Sequence, residues 1–185
     1  MQKKLKKYLK QWKKDKTIFD IVIYGSFVMG KENPNDIDVA VIFNSGTLKE
    51  RLVKLQDIKR NIKLDIKLDI KSVLLEELFK EEFFGRTGIF FEGQSIFDEI
   101  SFSKKIGFES FSMFTYNLRN KNHNEKVKFN YILSGRNNIG LIKKLKGRQI
   151  SPGVIYMPIF SSCRFEEILI LHKIDYIKKE VLVKI

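Results

Sequence analysis

The sequence has little of what disulfide-stabilised or zinc-binding proteins need. Its 185 residues include one cysteine, Cys163, two histidines and three prolines. A single cysteine excludes an intrachain disulfide, and no Cys/His spacing is typical of a zinc site. No apolar run reaches the roughly 20 residues of a membrane-spanning helix, and the lysine-rich start lacks the apolar stretch of a signal peptide. We therefore expect a cytoplasmic protein with no membrane partner.

Acidic residues are scarce in two segments, residues 1–16 and 104–149. Residues 17–103 carry eleven Lys or Arg and fifteen Asp or Glu. Residues 1–16 carry eight lysines and one acid, and residues 104–149 carry eleven cations and two acids. A field of one sign at this density attracts polyanions, and nucleic acid is the polyanion that we expect.

Residues 21–43 hold the most informative pattern of the chain. Two short apolar runs, bounded by Gly, Asn or Pro, predict two buried strands. Gly25 permits a sharp turn and a close approach of the backbone to a ligand, and Ser26 adds a hydroxyl for a phosphate group. Asp36 and Asp38 open the second strand two residues apart, so their carboxylates share one face about 7 Å apart. Hard divalent ions such as Mg²⁺ prefer oxygen ligands of this kind.

A further acidic strand is predicted over residues 61–70. Apolar and polar residues alternate there, which places Asp65 and Asp69 on one face together with two lysines. Both acids therefore face the same way, and the alternation does not separate them.

The order of strand, Gly-Ser, Asp-x-Asp and a second strand resembles the nucleotidyltransferase superfamily. That superfamily includes DNA polymerase beta, poly(A) polymerase, CCA-adding enzymes, aminoglycoside nucleotidyltransferases and the minimal nucleotidyltransferases. The resemblance implies that Gly25 and Ser26 bind the phosphates of a nucleotide, that Gly30 is a frequent third glycine, and that Asp36 and Asp38 are metal carboxylates.

The resemblance covers about residues 17–100 and implies a third carboxylate on a later strand. We prefer Asp65 for this role, with Asp69 as the alternate. The implied activity is transfer of a nucleoside monophosphate from ATP or another nucleoside triphosphate to an acceptor hydroxyl, with two Mg²⁺ or Mn²⁺ ions and release of pyrophosphate. The alternatives are a surface turn whose acids are merely solvated, and a degenerate copy of the fold without activity.

We divide the chain into a catalytic domain with a basic N-terminal helix, residues 1–103, and a basic α+β module, residues 104–185. Aromatic residues alternate with cations in the module, which suits a strand of nucleic acid, although most of the rings are expected in the core. The predicted nucleic-acid contacts are Arg119, Lys126, Lys128, Arg136, Lys143, Lys144, Lys146 and Arg148.

An RNA end is therefore the expected acceptor, ahead of DNA. Two other functions stay open: transfer of a nucleotide to a protein or small molecule, and a nucleic-acid-binding protein that uses the same fold without catalysis.

The expected fold class lies between α/β and α+β, a nucleotidyltransferase-type mixed sheet flanked by helices plus the small α+β module. Thr47 and Glu50 form a capping box for a helix over 48–60, and Ser72 is expected to cap a second helix to about residue 82. Residues 88–98 are expected to form a strand and turn. In the module we expect strands over 111–118, 154–160 and 176–183, and helices over 124–133 and after Ser161 or Ser162. An apolar stripe at helical spacing predicts an N-terminal helix that uses Leu5, Tyr8, Leu9 and Trp12.

Overall fold

A computed structural model describes residues 2–30, 36–63, 67–83, 85–136 and 138–185. The chain forms two compact units, Met1–Phe108 with Ile185, and Glu109–Lys184. Each unit combines one sheet with helices, so the class is α+β. None of the described helices is long and apolar enough to cross a membrane.

The described residues of the first unit form four strands, four helices and two short 3-10 turns. The strands are β1 (Ile18–Tyr24), β2 (Asp36–Phe43), β3 (Lys67–Leu74) and β4 (Gln94–Ser95). The helices are α1 (Gln2–Lys10), α2 (Leu48–Asn61), α3 (Arg86–Phe91) and α4 (Phe102–Lys105), and the 3-10 turns are Gln11–Lys14 and Glu76–Phe79.

The sheet of this unit is mixed, with the order β3-β2-β1-β4. β1 pairs antiparallel with β2 and with β4, whereas β2 and β3 run parallel. The parallel pair requires a crossover, and α2 provides it. The sheet is therefore compatible with the expected mixed sheet flanked by helices.

Apolar side chains lie on both faces of the sheet, because successive strand residues point in opposite directions. One face carries a core that includes Ile21 and Ile23 and takes Leu5 and Leu9 from α1. The opposite face carries a core that includes Val22 and, from α3 and α4, Ile89 and Phe102. Two buried faces explain why residues 21–24 of β1 and 39–43 of β2 are continuous apolar runs.

Two helix predictions are confirmed. Thr47 accepts a hydrogen bond from the backbone N–H of Glu50, whose carboxylate accepts from the N–H of Thr47, so the capping box starts α2. Leu5 and Leu9 of α1 are fully buried, and Trp12 packs against the same core.

Three element predictions for the first unit are wrong. The strand predicted over 61–70 is wrong at its ends: Asn61 still belongs to α2, and the described strand, Lys67–Leu74, extends past residue 70 along β2. Residues 64–66 of this prediction lie outside the described residues. Ser72 consequently lies inside β3, paired with Val41, and caps no helix. Residues 88–98 are mostly α3 and turns, with a strand only at Gln94–Ser95.

The glycines of residues 88–98 explain the last error. A Cβ on Gly88 would lie 2.9 Å from the Tyr24 ring, and one on Gly93 would lie 2.2 Å from the Ile89 carbonyl oxygen. These glycines permit close packing of α3 and the residues after it against the sheet. In a sequence, however, glycine is also the commonest sign of a turn, so the helix was not predicted.

In the second unit, the residues that the structure describes form a four-stranded sheet and three helices. The strand order is β6 (Arg148–Ser151), β7 (Val154–Pro158), β5 (Phe108–Asn117) and β8 (Asp175–Lys184). The helices are α5 (His123–Ser134), α6 (Leu141–Lys144) and α7 (Ile159–Leu171). The predicted elements are present with shifted ends, and β6 was not predicted.

The serine caps predicted for α7 are wrong. α7 begins at Ile159, and the buried Ser161 and Ser162 donate their hydroxyls to the carbonyls of Leu145 and Ile159. A serine hydroxyl forms hydrogen bonds to nearby backbone groups both at a helix N-cap and inside a helix, so the presence of serine in the sequence does not distinguish the two positions.

Candidate active site

Three strand ends bring the predicted acids together in the first unit. β1 ends at Tyr24, which is the antiparallel partner of Asp38 near the start of β2. Asp38 is in turn the parallel partner of Asp69 on β3, and Asp36 is the partner of Lys67. Residues that are direct partners in a sheet point to the same face, so these side chains form one group. Asp36, Asp38 and Asp69 thus lie on the face opposite Ile37 and Val39.

The acids of this group act on one another through their charges. Partial burial raises the pKa of Asp38, the charges of Asp36 and Asp69 raise it further, and the charge of Lys71 opposes them. A carboxyl group whose pKa rises beside two like charges favours a bound cation.

Lys71 is a cation of this group that sequence reasoning missed. Its ammonium lies 3.4 Å from a carboxylate oxygen of Asp69. Burial acts to lower the pKa of Lys71, but the neighbouring Tyr24 and Asp69 hold it above its usual value. The signal was present, since Lys71 follows Asp69 by two residues and so shares its face, but the predicted strand ended one residue too early.

Tyr24 is the second residue that sequence reasoning missed. It is 6% exposed, and its hydroxyl is buried near the Lys71 ammonium. Burial raises the pKa of Tyr24, the charges of Asp38 and Asp69 act in the same direction, and the charge of Lys71 and its hydrogen bond oppose them. Tyr24 therefore belongs to the same group of charged and polar side chains.

Gly25 is required by its surroundings. Its φ is +76°, and a Cβ placed there would lie 2.6 Å from the Oδ2 atom of Asp38. The carbonyl of Gly25 accepts the N–H groups of Val28 and Met29, which closes a tight turn. Ser26 is exposed in this turn, and Gly30, also exposed, ends it with a φ of +85°. The missing side chain of Gly25 therefore makes room for the Asp38 carboxylate.

Asp65, the preferred third carboxylate, lies outside the described residues. Asp69, the alternate, is described and lies directly beside Asp38.

Carboxylate oxygens in this arrangement fit Mg²⁺ or Mn²⁺ by their chemistry. The raised pKa of Asp38 supports that fit. Within the described ranges, however, no group of three His, Cys, Asp or Glu side chains is arranged to hold a metal ion. Lys71 occupies the position beside Asp69 instead.

All eight predicted nucleic-acid contacts lie in the second unit, and seven are exposed while Lys126 is half-buried. Arg148 pairs with Glu109 at 3.2 Å. Of the neighbouring aromatic residues, Phe114, Tyr116 and Phe129 are buried, whereas Tyr131 is 42% exposed and has the Arg136 guanidinium over its ring. The expectation that most of these rings belong to the core is confirmed.

Comparison with known proteins gives one family. The model of a family of unknown function, DUF6932, matches residues 1–105, and the chain belongs to this family. None of the curated proteins matches the chain. The matched segment contains the strands that carry Asp36, Asp38 and Asp69.

Proposed function

We propose that the chain is a metal-dependent nucleotidyltransferase that transfers a nucleoside monophosphate from a triphosphate to an acceptor hydroxyl. One observation carries the proposal. Asp36, Asp38 and Asp69 share one face of the sheet, next to a glycine whose absent side chain leaves room for the Asp38 carboxylate.

The residues divide into a phosphate side and an acidic side. On the phosphate side, the exposed Ser26 hydroxyl and the Gly25 turn are free to contact a triphosphate. On the acidic side, Asp36 and Asp38 would hold the metal ions. When bound, the ions would supply positive charge to the attacking and leaving oxygens of a phosphoryl transfer.

Asp69 takes the role of third carboxylate in this proposal because it lies directly beside Asp38. The oxygen of the acceptor hydroxyl forms a bond to the α-phosphorus, and its proton passes to the Asp69 carboxylate. The bond between the α-phosphorus and the bridging oxygen breaks, and pyrophosphate leaves with that electron pair. Lys71 must release Asp69 for this step, and its ammonium is then available to a phosphate oxygen.

RNA is the acceptor that charge supports best. Residues 126–148 carry seven Lys or Arg and no Asp or Glu. Such a segment favours a polynucleotide over a neutral small molecule. Nucleotide transfer to a protein is the second candidate for the acceptor, because the acidic site of the first unit does not depend on the basic segment.

The test is incubation of the chain with each labelled nucleoside triphosphate, Mg²⁺, and either RNA, a DNA primer or total protein. A labelled RNA band is expected. The Asp36→Asn/Asp38→Asn double variant serves as the control, because it removes both carboxylates and keeps the size of each side chain. Label that appears with wild type but not with this variant supports transfer at the acids, whereas equal label in both would contradict it.

The acceptor has its own test. Reversing Lys143, Lys144 and Lys146 to Glu should weaken RNA binding and flatten its dependence on salt, since each neutralised phosphate releases counterions. Transfer to RNA should fall, and nucleotide binding at Gly25 and Ser26 should stay unchanged. Activity that survives the triple reversal would favour a protein or small-molecule acceptor.

A further inference from the structure

The second unit contains an open cleft of about 500 Å³ that the acidic site does not use. It lies where α5 ends and α6 begins. The residues that matter for its chemistry are Tyr131, Gly135, Arg136, Ile139, Gly140 and Lys144.

The cleft exposes apolar surface. Tyr131 is 42% exposed and Ile139 is 59% exposed. The Arg136 guanidinium lies 5.0 Å from the centre of the Tyr131 ring. The guanidinium covers one face of the ring, so a planar ligand is expected to stack on the other face.

Two glycines fix the backbone of the cleft. A Cβ on Gly135 would lie 2.0 Å from the carbonyl oxygen of Asn138, and one on Gly140 would lie 2.2 Å from the backbone of Ser134. Gly135 also has a φ of +81°. Because the backbone is held this tightly, the cleft exists before a ligand arrives, and binding loses little conformational entropy.

The charge of the surrounding segment selects the class of ligand. Among the seven cations of residues 126–148, Arg148 pairs with Glu109. The other six form no ion pair in the portion of the chain that the structure describes. Two of them, Arg136 and Lys144, line the cleft itself. A ligand that combines a planar apolar group with several negative charges complements this surface.

We propose that the cleft binds single-stranded RNA, with a base stacked on Tyr131 beside Ile139 and neighbouring phosphates paired with Arg136 and Lys144. Base stacking on an aromatic ring and phosphate pairing with cations are the two contacts that single-stranded nucleic acid offers together. The choice of RNA as occupant rests on the proposed function, whereas the position of the site rests on the cleft.

The test is fluorescence anisotropy of a short labelled single-stranded RNA with the full chain, without nucleotide. Tyr131→Leu keeps apolar bulk and removes the ring, and it should weaken binding about 5- to 150-fold, the range for loss of one stacked base. Tyr131→Phe should bind as wild type does, because the ring is retained. Circular dichroism checks that each variant is folded.

A charge variant tests the phosphate contacts. Arg136→Gln/Lys144→Gln should lower the slope of log affinity against log salt by about 1.4, which corresponds to two phosphates of a single strand. Lys179→Gln/Lys184→Gln removes two exposed charges elsewhere in the same unit and is the matched control. It should change the affinity much less than the cleft pair does.

Three outcomes would overturn the proposal. RNA affinity that is the same in Tyr131→Leu and wild type would place RNA elsewhere, as would equal losses in the two charge variants. Binding of an acidic peptide that competes with RNA and depends equally on Tyr131 would identify a protein partner.

The Asp36→Asn/Asp38→Asn variant separates this proposal from the proposed function. It should bind RNA as wild type does, because its substitutions lie in the first unit. RNA binding that depends on the Tyr131 ring, without any nucleotide transfer by the wild type, would support the RNA site in the cleft and reject the proposed nucleotidyltransferase activity. Nucleotide transfer without ring-dependent RNA binding would support the activity and reject the RNA site.

Discussion

Gly25→Ala is the sharpest test of the acidic site, because one added methyl group acts directly on Asp38. The new Cβ would lie 2.6 Å from the Asp38 Oδ2 atom, a separation that real Cβ contacts do not show. The carboxylate must therefore move by several tenths of an ångström. The effect on Asp38 is larger than any loss of contact at Gly25 itself.

Two separate costs follow from this substitution. Alanine at a φ of +76° costs roughly 1–2 kcal/mol of folding free energy, as for other residues in left-handed conformations. Displacement of a reacting group by a fraction of an ångström is expected to lower turnover about 10- to 100-fold. The first cost is general to positive φ, and the second is specific to this site.

Gly107→Ala separates the two costs. Gly107 has a φ of +87°, and a Cβ there would meet nothing within 4 Å. Both variants should lose similar stability in urea, followed by the fluorescence of Trp12, the only tryptophan, which packs on the core of the same unit. Only Gly25→Ala should lose Mn²⁺ affinity, by calorimetry, and nucleotide transfer.

The result that refutes this reasoning is equally specific. If Gly25→Ala kept the Mn²⁺ affinity and turnover of Gly107→Ala, the position of the Asp38 carboxylate would not matter to function. If neither variant lost stability, the strain assigned to positive φ would be wrong.

Three more predictions concern the same unit. Because the pKa of Asp38 is raised in the folded state, protonation of this carboxyl stabilises the fold at low pH, and that stabilisation is lost as the pH rises from 3.8 through the folded-state pKa. In urea titrations without metal between pH 4 and 7, Asp38→Asn should remove this loss of unfolding free energy. Ser26→Ala should weaken triphosphate binding by about 1.5–3 kcal/mol in calorimetry, and an unchanged affinity would exclude its hydroxyl. Asp20 is fully buried and pairs with Lys105 at 2.8 Å, so Lys105→Gln should cost about 3–5 kcal/mol of unfolding free energy, and Asp20→Asn added to it should restore part of that loss.

Local patterns were sufficient for the elements whose ends are determined locally. The capping box of Thr47 and Glu50 starts α2 because its hydrogen bonds join residues three apart. The alternation around Asp36 and Asp38 predicted one shared face because side-chain direction in a strand has a period of two residues. The turn at Gly25 was predicted because a positive φ selects glycine.

Contacts between residues distant in the chain were not predictable in this way. Burial of Asp20 against Lys105 joins β1 to α4 across 85 residues, and no short pattern contains both. The helix at Gly88 was not predicted, because the Tyr24 ring that packs against this glycine belongs to β1, distant in the chain.

The sequence by itself predicted the turn at Gly25 and Ser26 and the shared face of Asp36 and Asp38 at the start of a strand. Only the tertiary structure decided which described acid lies beside them. That neighbour is Asp69, because the hydrogen bonds between β2 and β3 fix their register, and a shift of one residue would turn its carboxylate to the opposite face. Register depends on pairing between two segments, so neither segment contains it alone.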